Sequence, residues 1–224
     1  PAITLAPSED SEELMLSLRE LSSFDWVIFT SVNGVAAFQK AMAAQNIPVA
    51  VLAERRIAAI GPATAKELER LGATPTIVPK EYVSEALPEL LGDVHGKRVL
   101  LPRADIARKM LPIELKRRGA DVTEIAMYHI LPNDTPEVVA QLKAFDQNKT
   151  PDYLTFTSSS AVRGFHKLLE ASGKESWFST VPIVSIGPIT AKTVEEYGVC
   201  SQIVAQSYTT DGILNAITAC EEGR

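Results

Sequence analysis

The sequence predicts an α/β protein whose parallel sheets are covered by helices on both faces, and it predicts that unit twice. Three observations carry this. The run Asp25-Trp26-Val27-Ile28-Phe29-Thr30-Ser31, with Val35 and Phe38 beyond it, returns 127 residues later as Asp152-Tyr153-Leu154-Thr155-Phe156-Thr157-Ser158, with Val162 and Phe165. Ile60-Gly61-Pro62-Ala63-Thr64-Ala65-Lys66 returns 126 residues later as Ile186-Gly187-Pro188-Ile189-Thr190-Ala191-Lys192. Between these matches, short apolar runs alternate with stripes at helical spacing, the pattern of parallel strands joined by right-handed crossovers. Two matches in one order at nearly one offset mark a duplicated domain, because solenoid repeats run only about 20–50 residues.

In the first copy, Trp26–Phe29 is an apolar run of the kind buried on both faces of a parallel sheet. Val35, Phe38 and Met42 then recur at helical spacing. Arg56–Ile60 is a second strand, followed by a helix striped by Ala65, Leu68 and Leu71 and stopped at Gly72. Thr76-Ile77-Val78 is a short third strand ended by Pro79, and Ser84 is placed to cap a helix carrying Leu87, Leu90 and Leu91. Val99-Leu100-Leu101 is a fourth strand, the helix from about Ile106 to Arg118 stops at Gly119, and Val122–Tyr128 is a fifth.

The second copy runs from Tyr153 through Ile183–Ile186 and Gln202–Val204 to a helix near Asp211–Ala219, with three strands against five. Its shortfall, and the likeness of Pro1–Pro7 to Met127–Pro132, predict that one strand–helix unit of roughly 30 residues precedes Pro1.

Composition narrows the class. The chain has 224 residues, 46% hydrophobic and 22% charged, an ordinary globular balance with room for two modest cores. No apolar run reaches the ~18 residues of a membrane span, and no signal peptide opens the chain. Cys200 and Cys220 have neither framework nor metal spacing and read as reduced side chains of a cytoplasmic protein. A net charge of −6 argues against a nucleic-acid partner. It leaves room for an anionic small molecule, because local amides can oppose the global sign.

Ligands of open parallel sheets bind beyond the carboxyl ends of the strands. There the first copy places Thr30, Ser31, Gly61, Arg103 and Tyr128, and the second Thr157, Ser158, Ser159 and Gly187. Thr64 and Thr190 fall in the first turn of the helix after each glycine. Hydroxyls, helix-start amides and one cation suit carboxylates or phosphates; the plainer reading of Ser31 and Ser158 is a helix cap. The glycines are expected to let backbone approach a ligand closely. His95, His129 and His166 share no ligand spacing, and no Gly-x-Gly-x-x-Gly marks a dinucleotide site.

Taken in order, Asp-Trp-Val-Ile-Phe-Thr-Ser-x-Asn-Gly-Val at 25–35, Ile-Gly-Pro-x-Thr-Ala at 60–65 and 186–191, Val-Leu-x-Pro-Arg at 99–103, Arg-Gly-Ala-x-Val at 118–122 and the Tyr128 stretch resemble the uroporphyrinogen-III synthase family. The resemblance implies two flavodoxin-like domains joined by a two-stranded linker, with a cleft between them. Residues 1–7 and 127–133 would be linker, 8–126 a complete domain, and 134–224 a domain lacking its upstream strand and helix.

It also implies an enzyme that takes the linear tetrapyrrole hydroxymethylbilane, an octacarboxylate, inverts its last ring and closes the macrocycle with loss of water, without cofactor or metal. Thr30, Ser31 and Asn33 fall on the family's Thr-Ser-x-Asn, Thr64 and Thr190 on its Gly-Pro-x-Thr, Arg103 on the arginine closing a strand, and Arg108 on a second arginine beyond it. Tyr128 is either the group that assists departure of the hydroxyl or a structural tyrosine. Ala104 stands where the family usually has glycine, and Ser160 where asparagine is expected. The expected molecule is a monomer, alone or joined to another tetrapyrrole enzyme. The rival is a non-catalytic, two-lobed receptor for a small polyanion, using the same helix starts.

Overall fold

The computed structural model describes residues 2–8, 12–79, 87–145 and 150–223. The chain divides into two compact units, Leu5–His129 and Pro1–Thr4 with Ile130–Arg224. In chain order the first stretch comprises β1 (Ile3–Pro7), α1 (Glu12–Arg19), β2 (Trp26–Phe29), α2 (Val32–Ala44), α3 (Val49–Ala53), β3 (Arg56–Ala59), α4 (Pro62–Leu71), α5 (Leu87–Leu90), β4 (Arg98–Ala104), α6 (Met110–Arg117) and β5 (Asp121–Pro132).

The five strands lie in the order β1-β5-β4-β2-β3. β2 pairs in parallel with β3 and β4, and β4 with β5. β1 runs the other way along β5, since Ser8 N–H donates to the Met127 carbonyl and Asn133 N–H to the Ala2 carbonyl. The chain leaves β2 towards β3, then crosses back over it to β4, so the strand order reverses beside β2. Ile77 bridges Ala58 at the far edge. Counting that bridge, the parallel order is the flavodoxin-like one entered at its third strand.

All four residues of β2 are buried, as an apolar run paired on both sides requires. α2 lays Val35, Phe38 and Met42 on the sheet, and the Phe38 ring meets Phe29 edge-on at 5.4 Å. Gly72 closes α4 in the left-handed region at φ 92°, the conformation that selects glycine after a helix.

Three expectations change. Thr76–Val78 forms a single bridge rather than a strand: Ile77 shares its hydrogen bonds with Ile57 and Ala59. The helix expected from Ile106 starts at Met110, because the preceding loop satisfies its polar groups elsewhere. Asp105 Oδ1 accepts the Ile106 N–H at 2.8 Å, and Asp105 N–H donates to the Tyr128 carbonyl at 3.2 Å. β5 continues past Tyr128 to Pro132. Ser84 lies outside the described residues.

The unit containing Ile130–Arg224 holds α7 (Pro136–Ala144), β6 (Leu154–Phe156), α8 (Ser159–Ser172), α9 (Trp177–Thr180), β7 (Ile183–Ser185), α10 (Pro188–Glu195), β8 (Ile203–Val204) and α11 (Thr210–Glu222). Its sheet is β6-β7-β8, all parallel. Leu154, Phe156, Val162, Leu169, Phe178 and Ile183 form a core equivalent to that around β2.

Asp25 ties the start of β2 to that of β4. Its N–H donates to the Arg98 carbonyl at 2.9 Å, its Oδ2 accepts the Arg98 N–H at 3.0 Å, and Lys97 Nζ stands 3.3 Å from Oδ1. The Arg98 N–H, helped by Lys97 and opposed by burial, holds the carboxyl below its usual range. A depressed folded-state value adds stability above the unfolded value, and that stability is lost as pH falls through the folded one. Asp25→Ala is expected to cost about 1 kcal/mol at neutral pH, measured by urea unfolding. The difference from the parent should close in acid, once both chains lack the carboxylate.

Candidate active site

The carboxyl ends of β2, β4 and β5 form a rim whose contacts are set by α2. Ser31 is the N-cap of that helix, with extended backbone at φ −160°, ψ 153°, and its Oγ accepts the Gly34 N–H at 3.1 Å. Gly34 is needed for space: a Cβ there would lie 3.2 Å from both the Pro102 carbonyl oxygen and Ser31 Oγ. The helix start therefore sits directly against the end of β4. Thr30 is half-buried beside it, and Asn33 is exposed.

Tyr128 reaches this point through an irregularity in β5. Arg103 pairs with Ala126 but Ala104 with Tyr128, so one residue of β5 is passed over. Bulges of this kind re-aim side chains at sheet rims, and here Met127 and Tyr128 are both buried in succession. The phenolic oxygen lies 3.0 Å from Ser31 Oγ, although the two residues are 97 apart in sequence. The Tyr128 carbonyl is held by Asp105 N–H, and His129 Nδ1 lies 2.8 Å from Asp105 Oδ2, so the loop after β4 clasps β5 on either side of the tyrosine peptide.

Arg103 is not the exposed cation that its position in the sequence suggests. Only 4% of the residue is accessible, and its guanidinium donates to the Arg108 carbonyl and lies 3.9 Å from Glu124. Burial lowers the guanidinium's proton affinity, with Glu124 acting in the opposite sense. Lys109 Nζ approaches the same carboxylate at 3.3 Å. Arg103 thus folds residues 105–109 into a loop, with the Arg108 residue exposed.

Beside Tyr128 opens a groove of about 500 Å³. Its floor includes Met127 and Leu14, its wall is the α2 face carrying Asn33, Ala37, Lys40, Ala41 and Ala44, and Leu5 and Pro7 of β1 close one side. Lys40 was missed from sequence. Its signal is a second stripe on α2, offset from the buried one, of small residues at helical spacing with a cation in the middle. Thr64 is buried in the first turn of α4, and Gly61 before it takes φ 86°.

In the other unit, Ser158 repeats the cap of Ser31. Its backbone is at φ −167°, ψ 158°, and its Oγ accepts the Ala161 N–H at 3.1 Å. Its further neighbour is Ser160 Oγ at 3.1 Å, the position where an asparagine was expected. Thr157 is exposed, Thr190 is buried, and Ser159 accepts from Thr193 at 2.7 Å, tying α8 to α10. Gly187 is extended, and the Tyr208 ring lies 3.0 Å from where a Cβ would sit. Among the described residues no three His, Cys, Asp or Glu side chains converge as a metal site would need.

A doubly wound sheet whose strand order reverses at a rim of hydroxyls and a helix start, beside a groove that Asn33 and Tyr128 line, has the arrangement of an α/β small-molecule site. Comparison with known proteins narrows the class. The family profile described as "Uroporphyrinogen-III synthase HemD" matches residues 1–215. A uroporphyrinogen-III synthase of Synechococcus elongatus is 32% identical, over 97% of this chain and 83% of its own length. A putative uroporphyrinogen-III synthase of Methanothermobacter thermautotrophicus is 31% identical, over 92% of this chain and 82% of its own. In fold, a crystallised mutant uroporphyrinogen III synthase of the extreme thermophile Thermus thermophilus superposes with a TM-score of 0.69 at 22% identity, covering 100% of this chain and 88% of that one. The chain belongs to the uroporphyrinogen-III synthase family.

Arg103→Met is expected to leave the Arg108 carbonyl without its donor and to loosen residues 105–109. The loss should be about 1–3 kcal/mol by urea unfolding, with faster amide exchange confined to that loop and to β5 near Tyr128. An unchanged midpoint with unchanged exchange would show the guanidinium to be dispensable there.

Proposed function

We propose that this chain is the uroporphyrinogen-III synthase of tetrapyrrole biosynthesis, a hydro-lyase that closes hydroxymethylbilane with inversion of the last ring. The family match over residues 1–215 carries the reading, and the rim gives it a physical basis. The substrate is a flexible chain of four pyrroles with eight carboxylates. Thr30, Ser31, Asn33, Thr64, Thr157, Ser158, Ser159 and Thr190 are the hydroxyl and amide groups proposed to meet carboxylates. Lys40 and Arg108 add charge, and Arg103 holds the Arg108 loop. Charge-assisted hydrogen bonds of this kind contribute roughly 1.5–3 kcal/mol each.

The chemistry asks little of any one side chain. The terminal C–OH bond breaks as the hydroxyl takes a proton and departs as water, aided by the pyrrole nitrogen's electron pair. The ring-D carbon that carries the methylene bridge attacks the resulting cation, its bond to that bridge breaks, and the ring's other α-carbon bonds the bridge, closing the inverted macrocycle and giving up one proton. The proton spent on water is matched by the one released. Unaided, the bilane closes to the unrearranged isomer, so the catalyst's task is chiefly to hold a conformation. Tyr128, buried at the groove and directed by Ser31, is the proposed donor to the departing hydroxyl.

No cofactor or metal enters this scheme. The enzyme is proposed to act as a cytoplasmic monomer on its own or joined to another tetrapyrrole enzyme; no helix among the described residues is long and apolar enough to cross a membrane.

Supplied with freshly generated hydroxymethylbilane, the chain should yield uroporphyrinogen III in place of the I isomer, as read by chromatography of the oxidised porphyrins. A polyanion receptor would bind the bilane and leave only isomer I. Tyr128→Phe should lower kcat roughly 10²-fold or more with KM little changed; full turnover by that variant would leave Tyr128 a structural residue.

A further inference from the structure

Either hydroxyl of the Ser31–Tyr128 contact can be the donor, and which one donates has consequences for the reaction. Ser31 Oγ already accepts the Gly34 N–H at 3.1 Å. It keeps its own proton and one lone pair for the phenolic oxygen 3.0 Å away. A hydroxyl that is accepting one hydrogen bond is a better donor in the next. Once Tyr128 has given up its proton, its oxygen can only accept, so Ser31 is then the donor.

We propose that Ser31 is a positioning residue for Tyr128: its hydroxyl donates to the phenolic oxygen, turns that oxygen's own proton towards the groove, and stabilises the phenolate left after transfer to the departing hydroxyl. The inference rests on the reading of Tyr128 as the proton donor, and it takes Ser31 away from the carboxylate ligands. The elements around the pair are built to keep it. Ser31 is fixed by its cap, and the start of α2 is fixed against Pro102 by the absence of a side chain at Gly34. Tyr128 is fixed by the β4–β5 irregularity and by Asp105 N–H on its carbonyl. The positive end of the 13-residue α2 faces the same oxygen pair and favours negative charge there.

The duplicated serine supplies an internal control. Ser158 makes the same cap with the same 3.1 Å bond to the amide three residues on, yet its other neighbour is Ser160 Oγ and not a phenol. Capping the helix therefore does not by itself require a tyrosine, and the contact at Ser31 is an addition to the cap. In the reaction, the O–H bond of Tyr128 breaks as the C–O bond of the hydroxymethyl group does. Water leaves, and the proton later lost from the α-carbon restores the phenol.

The test separates the donor from the cap. Ser31→Asp keeps an acceptor for Gly34 N–H but has no proton to offer at neutral pH; Ser31→Thr keeps both; Ser31→Ala keeps neither. Ser31→Asp and Ser31→Ala should lower kcat roughly 10-fold or more with KM within twofold, Ser31→Thr should restore most of it, and Ser31→Ala should add no further loss to Tyr128→Phe. A raised KM at unchanged kcat would make Ser31 a substrate ligand and overturn the proposal, as would full kcat in Ser31→Asp. One readout needs no activity: the ultraviolet Raman difference between the parent and Tyr128→Phe should show a tyrosine that accepts a hydrogen bond. A donor-type spectrum would overturn the proposal even if the parent makes isomer III, whereas a parent making only isomer I would overturn the function and leave the spectrum to judge the contact.

Discussion

β2 has a parallel partner on each side, and the rest of the site depends on that constraint. A strand paired on both sides in the interior of a sheet must be apolar throughout, which Trp26–Phe29 is. Its chain can then leave only at the carboxyl end, upward into α2, and the strand order reverses there. The start of α2 is thereby delivered to the carboxyl-end rim next to β4, close enough that a Cβ on Gly34 would press on the Pro102 carbonyl and Ser31 Oγ at 3.2 Å. The hydroxyl that caps the helix and the amides that need capping arrive together, so the rim is polar because the fold makes it so.

The two copies share this logic and differ in what they attach to it. Ser31 and Ser158 are superimposable caps in their dihedral angles and bond lengths. The first copy adds a long strand, β5, whose irregularity at Ala126–Tyr128 puts a phenol on the capping hydroxyl. The second spends its glycine turn on packing, with the Tyr208 ring over Gly187. The two copies thus share a capped helix start, and a phenol lies on the capping hydroxyl in the first, a second serine in the other.

Much of this could be read in the sequence because it is local. Buried strands showed as four-residue apolar runs, α2 as the 35/38/42 stripe, its cap as Ser31, and the stop of α4 as Gly72. The repeat placed the equivalent elements of the second copy. What stayed hidden depends on residues far apart in the chain or on a strand's edge. Arg103 reads as a rim cation until β5 brings Glu124 alongside and the loop folds Arg108's carbonyl onto it. Thr76–Val78 has strand composition but only one bridge to make. Lys40 belongs to a stripe that α2 alone shows, but the opposite side of its groove comes from Pro7 and Met127, far away in the chain. Tyr128 and Ser31 each stand out in the sequence, but their contact joins residues 97 apart and leaves no local trace.

In the proposed donor network, Ser31 turns the phenolic proton of Tyr128 towards the groove between α2 and β1. Neutron diffraction from deuterium-exchanged crystals observes that proton directly. The network predicts nuclear density for the Ser31 hydroxyl deuterium on the line to Tyr128 Oη, and the tyrosine's own deuterium turned away from Ser31 into the groove. Density on the same line but bonded to Tyr128 Oη, with the serine's deuterium elsewhere, would contradict it.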